Sequence, residues 1–329
     1  MTPRPATMAA PDRTLAAIAF IVTAMVCISV NDMLIKLLSG GYPLHQMVFV
    51  RSCVGILATM VFLRVEGGWH LLKTDRPMLH ALRAGLIVIA NMTFFAALAV
   101  MPLGAATALF FVAPLFITLL AIPVLGETVG RHRLTAIGIG LAGVVVMMGP
   151  GVDWGDIARI SLFLPIIAAA CYAGMQVLTR KLGVSAAASA MAIYIQGAFI
   201  VVSAVFFLVA GDGRFLAFVE HDSLVFLLRP WIWPVAEDLW KFGLLGLMSA
   251  MIGYCLSQAY KIGEAATVAP FEYVALPMAV FWGWLIFGEI PGLVMAFGIA
   301  LIAGAGLYVF ARESKRGQPA PEDRPVRRG

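Results

Sequence analysis

Residues 104–116 read GAATALFFVAPLF, and residues 264–277 read EAATVAPFEYVALP. Ala105-Ala106-Thr107 matches Ala265-Ala266-Thr267, and each stretch carries proline inside a hydrophobic run. A Gly-Glu turn then follows in each case, GETVG at 126–130 and GEIPG at 288–292. The two intervals differ by two residues, so one small insertion separates the copies. A weaker match sets Asn31 and Lys36 against Gln176 and Lys181. The chain therefore repeats itself.

Composition says what is being repeated. The 329 residues are 61% hydrophobic and 12% charged, and mean hydropathy is +0.94. A soluble domain averages about 45–50% apolar and about 25% charged residues. A bilayer-crossing helix needs about 20 apolar residues. Ten such stretches recur, near 15–38, 45–63, 78–101, 103–125, 134–149, 158–179, 187–210, 241–260, 265–287 and 292–311. The expected fold is an all-α membrane protein of ten transmembrane helices arranged as two inverted five-helix repeats. The repeats span 15–150 and 156–312, after a short N-terminal segment, 1–14, and before a basic tail, 313–329, whose Pro, Gly and charge read as disorder. Five is odd, so the second copy enters the membrane from the opposite side, as in many carriers with a site between the halves.

Basic residues orient the chain. With both termini cytoplasmic, the inner segments hold 16 Lys and Arg, the outer segments hold four, and Lys36, Arg51 and Arg83 lie within spans. That excess follows the positive-inside rule. The first stretch follows Arg4 and Arg13 and ends in NDMLIK without a small-residue cleavage site, so it reads as a retained span. The net charge of +5 reflects this topology and the tail, and does not point to nucleic acid. Cys27, Cys53, Cys171 and Cys255 fall in different spans and suit packing better than a disulfide framework.

Several chemical motifs fail on context. GIGLAG at 138–143 satisfies GxGxxG, but it lies inside an apolar span, where glycines let helices approach. Neither a phosphate-binding GxxxxGK[ST] nor HExxH occurs, and the five histidines are scattered. No cofactor is expected.

The paired halves resemble the EamA family of the drug/metabolite transporter superfamily. The resemblance rests on the Ala-Thr starts of spans 4 and 9, on Pro114 and Pro277, and on the Gly-Glu at each end. It covers residues 14–312 and implies a ten-helix inner-membrane carrier with a central cavity between the halves. Family members handle riboflavin, S-adenosylmethionine, amino acids and other small metabolites. The implied partners are a small-molecule substrate and the lipid bilayer, with the oligomeric state open. A membrane-embedded enzyme or a non-transporting scaffold are the alternatives. An enzyme should gather catalytic residues at one membrane face, and a scaffold has little reason to keep polar groups inside both repeats.

Those polar groups are the candidate site. An ionisable residue at the bilayer centre costs roughly 2.5–3.5 kcal/mol on insertion scales, so it faces protein or a watery cavity. Asp32 and Lys36, spaced i, i+4 on span 1, are expected to pair, with Arg51 of span 2 joining them. Asn91, Gln176, Gln196 and Gln258 are hydrogen-bonding groups in spans 3, 6, 7 and 8. Arg83 is expected to snorkel to the cytoplasmic face. Glu127 and Glu289 read as boundary residues. Glu272, beside Tyr273 and between Pro270 and Pro277, reads as a carboxylate at a bent helix. It suits either proton coupling or a structural ion pair with Lys261. Phe94, Phe110, Phe111, Tyr254 and Tyr273 suit a flat ring or ordinary packing. Trp231, Trp233 and Trp240 fit an interfacial belt, and LVFLL at 224–228 is too short to span and should lie along the surface.

Overall fold

A computed structural model of the chain describes residues 11–74, 76–126, 131–182, 188–262 and 268–317. Among them the chain is helical throughout, without a strand. The helices are α1 (Pro11–Leu38), α2 (Leu44–Glu66), α3 (Pro77–Leu98), α4 (Leu103–Phe110), α5 (Ala113–Leu125) and α6 (Arg131–Met148). They continue with α7 (Leu164–Leu182), α8 (Ala188–Ala210), a short α9 (Asp222–Leu228) and α10 (Leu239–Ile262). A 3-10 segment, Ala269–Val274, then leads into α11 (Ala275–Phe287), and α12 (Leu293–Gly317) ends the described chain.

Seven segments are long and apolar enough to cross a membrane, and three more apolar helices, Leu134–Met148, Phe271–Phe287 and Leu293–Tyr308, are shorter. Two of the expected spans are interrupted. Residues 103–125 form α4 and α5, separated at Phe111 and Val112. Pro114 lies in the first turn of α5, where its missing N–H costs α5 no helical bond but leaves the Phe110 carbonyl at the end of α4 without an i+4 donor. The other interruption is the 3-10 segment, with Pro270 in its first turn. After each break comes a helix of 13 residues that ends at a left-handed glycine, Gly126 (φ 71°) or Gly288 (φ 67°). Only glycine enters that conformation without steric cost, so the Gly of each Gly-Glu turn is a helix stop.

Helix pairs build the bundle. The most extensive are α1 on α10, α6 on α12, α3 on α7 and α2 on α8, followed by α2 on α10 and α5 on α7. The GIGLAG glycines let α6 approach two neighbours, α12 and α5. A Cβ added at Gly143 would sit 2.9 Å from the Gly298 carbonyl oxygen, and one at Gly140 would sit 2.3 Å from a Leu115 methyl. Close backbone approach by small residues is how helices associate in lipid, where no hydrophobic force pulls them together. The fully buried core gathers Leu34, Ile35, Leu44, Met47, Leu98 and Leu109 near the end of α1. Leu57, Val61, Val145 and Leu208 stay exposed, as suits a face toward lipid.

The long connection between α8 and α10 is docked. Arg229 donates to the Ser39 and Gly40 carbonyls (3.1 and 2.6 Å), Gln46 donates to the Ile232 carbonyl (2.6 Å), and Tyr42 donates to Asp238 (2.7 Å). LVFLL forms part of α9, with Phe226 buried, rather than a wholly superficial segment. Trp233 and Trp240 are exposed, whereas Trp231 packs on Phe207 with ring centroids 4.5 Å apart.

Gly143→Leu should destabilise the protein by about 1–3 kcal/mol, the usual cost of overpacking. Gly138→Leu, in the same motif but with open space at its Cβ, should change little. Thermal unfolding of the two detergent-solubilised variants beside the parent checks both.

Candidate functional site

Two groups of polar residues emerge from this packing. The first is a junction at the end of α1. Lys36 lies in the last turn of that helix, and its ammonium meets a Glu289 carboxylate oxygen at 2.9 Å. The same ammonium donates to the Leu98 carbonyl (3.2 Å) and to the Met101 carbonyl, where α3 ends. The other Glu289 oxygen accepts from the Leu103 amide at 2.8 Å, the first residue of α4. A cation thus sits on the unpaired carbonyls of one helix end, and an anion sits on the unpaired amide of the next. Both placements complement the helix dipoles. The Phe287 ring lies 5.2 Å from the ammonium.

This corrects two expectations. Lys36 pairs with Glu289 rather than with Asp32, and Glu289 is a junction residue rather than a mere boundary. An i, i+4 pair contributes about 0.2–0.5 kcal/mol. Glu289 offers Lys36 a counter-ion beside two carbonyls that need a donor, so the long-range partner wins. Asp32 instead accepts from the Asn31 amide (3.0 Å), and Asn31 in turn accepts from Arg51 at 3.4 Å. Arg51 is buried between Phe95 and Phe199, its guanidinium 5.4 and 5.2 Å from their ring centroids. Asn31 therefore bridges Asp32 and Arg51, as part of the expected outer group, while Lys36 belongs elsewhere.

The second group is an aromatic run along the interrupted helices. Phe94 lies 5.1 Å from Phe110, Phe110 lies 5.4 Å from Tyr172 and 6.4 Å from Phe111, and Phe111 lies 5.0 Å from Tyr273. Gln176 donates to the Tyr172 hydroxyl at 2.8 Å, and the half-buried Glu272 lies within electrostatic reach of the Tyr172 and Tyr273 hydroxyls. Gly306 of α12 makes room for Tyr273, since a Cβ there would fall 1.5 Å from the tyrosine oxygen. The side chain of Lys261, the other partner considered for Glu272, lies outside the described residues, as does Glu127.

The remaining candidates are dispersed. Asn91 donates to the Ile87 carbonyl of its own helix (3.1 Å), and Gln258 is half-buried on α10. Gln196 bonds Ser249 across α8 and α10 (2.9 Å), as an interhelical tie should. Tyr254 stacks on Phe62 at 4.3 Å. Arg83 departs from expectation: it is buried, and its Nε donates to Thr179 of α7 at 2.7 Å, so it ties α3 to α7 rather than snorkelling. Tyr172 was not singled out by the sequence, although it lies one helical turn from Gln176. Among the described residues no group of three or more His, Cys, Asp or Glu is placed to hold a metal ion.

Residues 15–149, the first half of the chain, match the EamA-like transporter family. Over those residues the chain resembles that family. This EamA-like protein is 27% identical over 278 residues to a riboflavin transporter of Vibrio cholerae, covering 84% of this chain and 86% of that one. It is 28% identical over 299 residues to an S-adenosylmethionine uptake transporter of Rickettsia prowazekii, covering 91% of this chain and 93% of that one. A solved crystal structure with 18% identity and a TM-score of 0.61 covers 92% of this chain and 99% of its own, so the two share a fold.

In this EamA-like chain the ends of α3 and α4 fix the polarity of the junction. Lys36→Met should lower stability by about 1.5–3 kcal/mol, the range for a hydrogen bond to a charged group. The charge swap Lys36→Glu with Glu289→Lys should not recover it, because the swap sets a carboxylate on carbonyls and an ammonium on an amide. Thermal unfolding decides the matter: recovery to parental stability would mean that the helix ends play no part.

Proposed function

We propose that the protein is a secondary carrier of a small organic metabolite in a bacterial inner membrane. It would work by alternating access between two inverted five-helix repeats, residues 15–150 and 156–312, with both termini cytoplasmic. The observation that carries this reading is the reciprocity of the helix pairings. Taking α1, α2, α3, α4–α5 and α6 as one half, the other is α7, α8, α10, the 3-10 segment with α11, and α12. The first helix of each half lies on the third of the other, α1 on α10 and α7 on α3. Second lies on second, α2 on α8; fourth on fourth, α4 on α11; and fifth on fifth, α6 on α12. A two-fold relation between the halves produces this pattern, and such a relation supports exchange between two equivalent packings.

The relatives are named for riboflavin and for S-adenosylmethionine, both of which carry flat ring systems. Phe94, Phe110, Phe111, Tyr172 and Tyr273 offer faces for such a ring, while Gln176 and Glu272 offer hydrogen bonds at its edge. Interrupted helices at a repeat interface are where carriers place their sites. Asp32 and Arg51 then supply charge nearer the end of α1.

Uptake of riboflavin, S-adenosylmethionine and a wider metabolite panel into liposomes holding the purified protein tests the function, and transport of no compound would sink it. Orientation has its own test. In a variant lacking the four native cysteines, an impermeant maleimide added outside intact cells should label Glu220→Cys and spare Arg312→Cys. External labelling at position 312 would overturn the orientation.

Glu272 is the proposed proton carrier. With one proton moved per cycle, a one-unit pH gradient sustains about tenfold accumulation, because one pK unit equals 1.36 kcal/mol. Glu272→Gln should abolish that accumulation yet leave substrate exchange across the liposome membrane largely intact. Normal gradient-driven uptake by the variant would remove Glu272 from the coupling.

A further inference from the structure

The sequence set Glu289 aside as a turn residue, and nothing in the substrate site uses it. Its position is nevertheless unusual. Lys36 projects from α1, which packs on α10, while α10 also packs on α2 and α2 on α8. The partners of Lys36 lie outside that group of helices. They are the Leu98 and Met101 carbonyls between α3 and α4, and Glu289 between α11 and α12. Helix α3 packs chiefly on α7, and α7 on α5. Weaker contacts also join the two groups, α1 to α11 and α3 to α8, and one ammonium adds a polar tie across them at one end of the molecule.

We infer that the Lys36–Glu289 junction is the lock of the outer gate, closed in this structure and parted whenever the carrier opens outward. The inference rests on the alternating-access reading and on the orientation that puts the end of α1 outside. Its chemistry suits a reversible contact. If the mouth opens, water replaces each lost hydrogen bond, so neither charge is stranded in a dry place. An apolar seal would instead expose its whole surface to that water. Space for the parting exists beside the pair. A cavity of about 530 Å³ is lined by Gly104, Asp153, Val280, Gly283, Glu289 and Pro291, and Glu289 borders it with 22% of its side chain exposed. One turn below the Leu103 amide, Thr107 is buried beneath the junction. The repeat sets Lys181 and Glu127 at the corresponding sequence positions. Glu127 and the Lys181 side chain lie outside the described residues.

The test reports on gate opening without needing a substrate. A single Cys at position 107, in a background without native cysteines, is labelled from outside with an impermeant maleimide in right-side-out vesicles. Glu289→Gln keeps the acceptor for the Leu103 amide but removes the counter-ion, and Lys36→Met removes the ammonium. Either change should speed labelling about tenfold, the equilibrium shift expected from losing one charge-assisted hydrogen bond. Unchanged labelling in both variants, with both still folded, would overturn the lock. Failure of both variants to fold would overturn it as well, because a contact that opens in every cycle cannot be indispensable to folding. Uptake measurements stand apart from this result. Faster labelling without transport of any compound would count against the carrier and leave the lock in place. Transport with unchanged labelling would do the reverse.

Discussion

Backbone groups at a helix end cannot be left bare in a bilayer, where each unsatisfied group costs several kcal/mol. The short connection from Leu98 to Leu103 joins α3 to α4 and leaves the ends of both helices to be satisfied from elsewhere. Lys36 and Glu289 do this at the turn between α3 and α4, each neutralising the other while serving a helix terminus. Three distant stretches of chain are fixed together by that one arrangement. The polarity of the pair follows from the helix dipoles, because an ammonium belongs at a C-terminus and a carboxylate at an N-terminus.

Around this junction the bundle is assembled by fit rather than by hydrophobic force. Gly143 and Gly298 bring α6 and α12 to backbone contact, Gly140 makes room for Leu115 of α5, and Gly306 receives the Tyr273 hydroxyl. Polar ties cross the remaining contacts, with Arg83 on Thr179 and Gln196 on Ser249. These residues occupy spans yet contact neighbouring helices. A polar group inside a span therefore marks a helix contact at least as often as a ligand site, and only its partners tell the two apart.

The candidate site itself divides by chemistry. Charge collects near the end of α1, where Asn31 bridges Asp32 and Arg51. Rings collect along the interrupted helices, with Tyr172 and Gln176 of α7 joined to Phe110 of α4. An elongated metabolite with a flat ring at one end and a charged group at the other would match that division. A scaffold of this kind can host many sites, and side chains rather than the fold decide what one holds.

Much of this was legible in residue order alone. Hydrophobic length gave the helices, the prolines around Glu272 gave the bend in that span, and the Gly-Glu turns marked the span ends at Gly126 and Gly288. All three are local consequences of backbone chemistry, so no neighbour is needed to foresee them. GIGLAG could be read as packing for the same reason, since its surroundings are apolar on both sides. Partnership was a different matter. Spacing along α1 favoured Asp32 for Lys36, and nothing in the sequence joined Lys36 to a carboxylate at the far end of the chain. Arg83 likewise looked free to reach the membrane surface until α7 placed Thr179 against it. A buried charge takes the partner that best satisfies all its hydrogen bonds, and which groups come within reach is decided only when the helices pack.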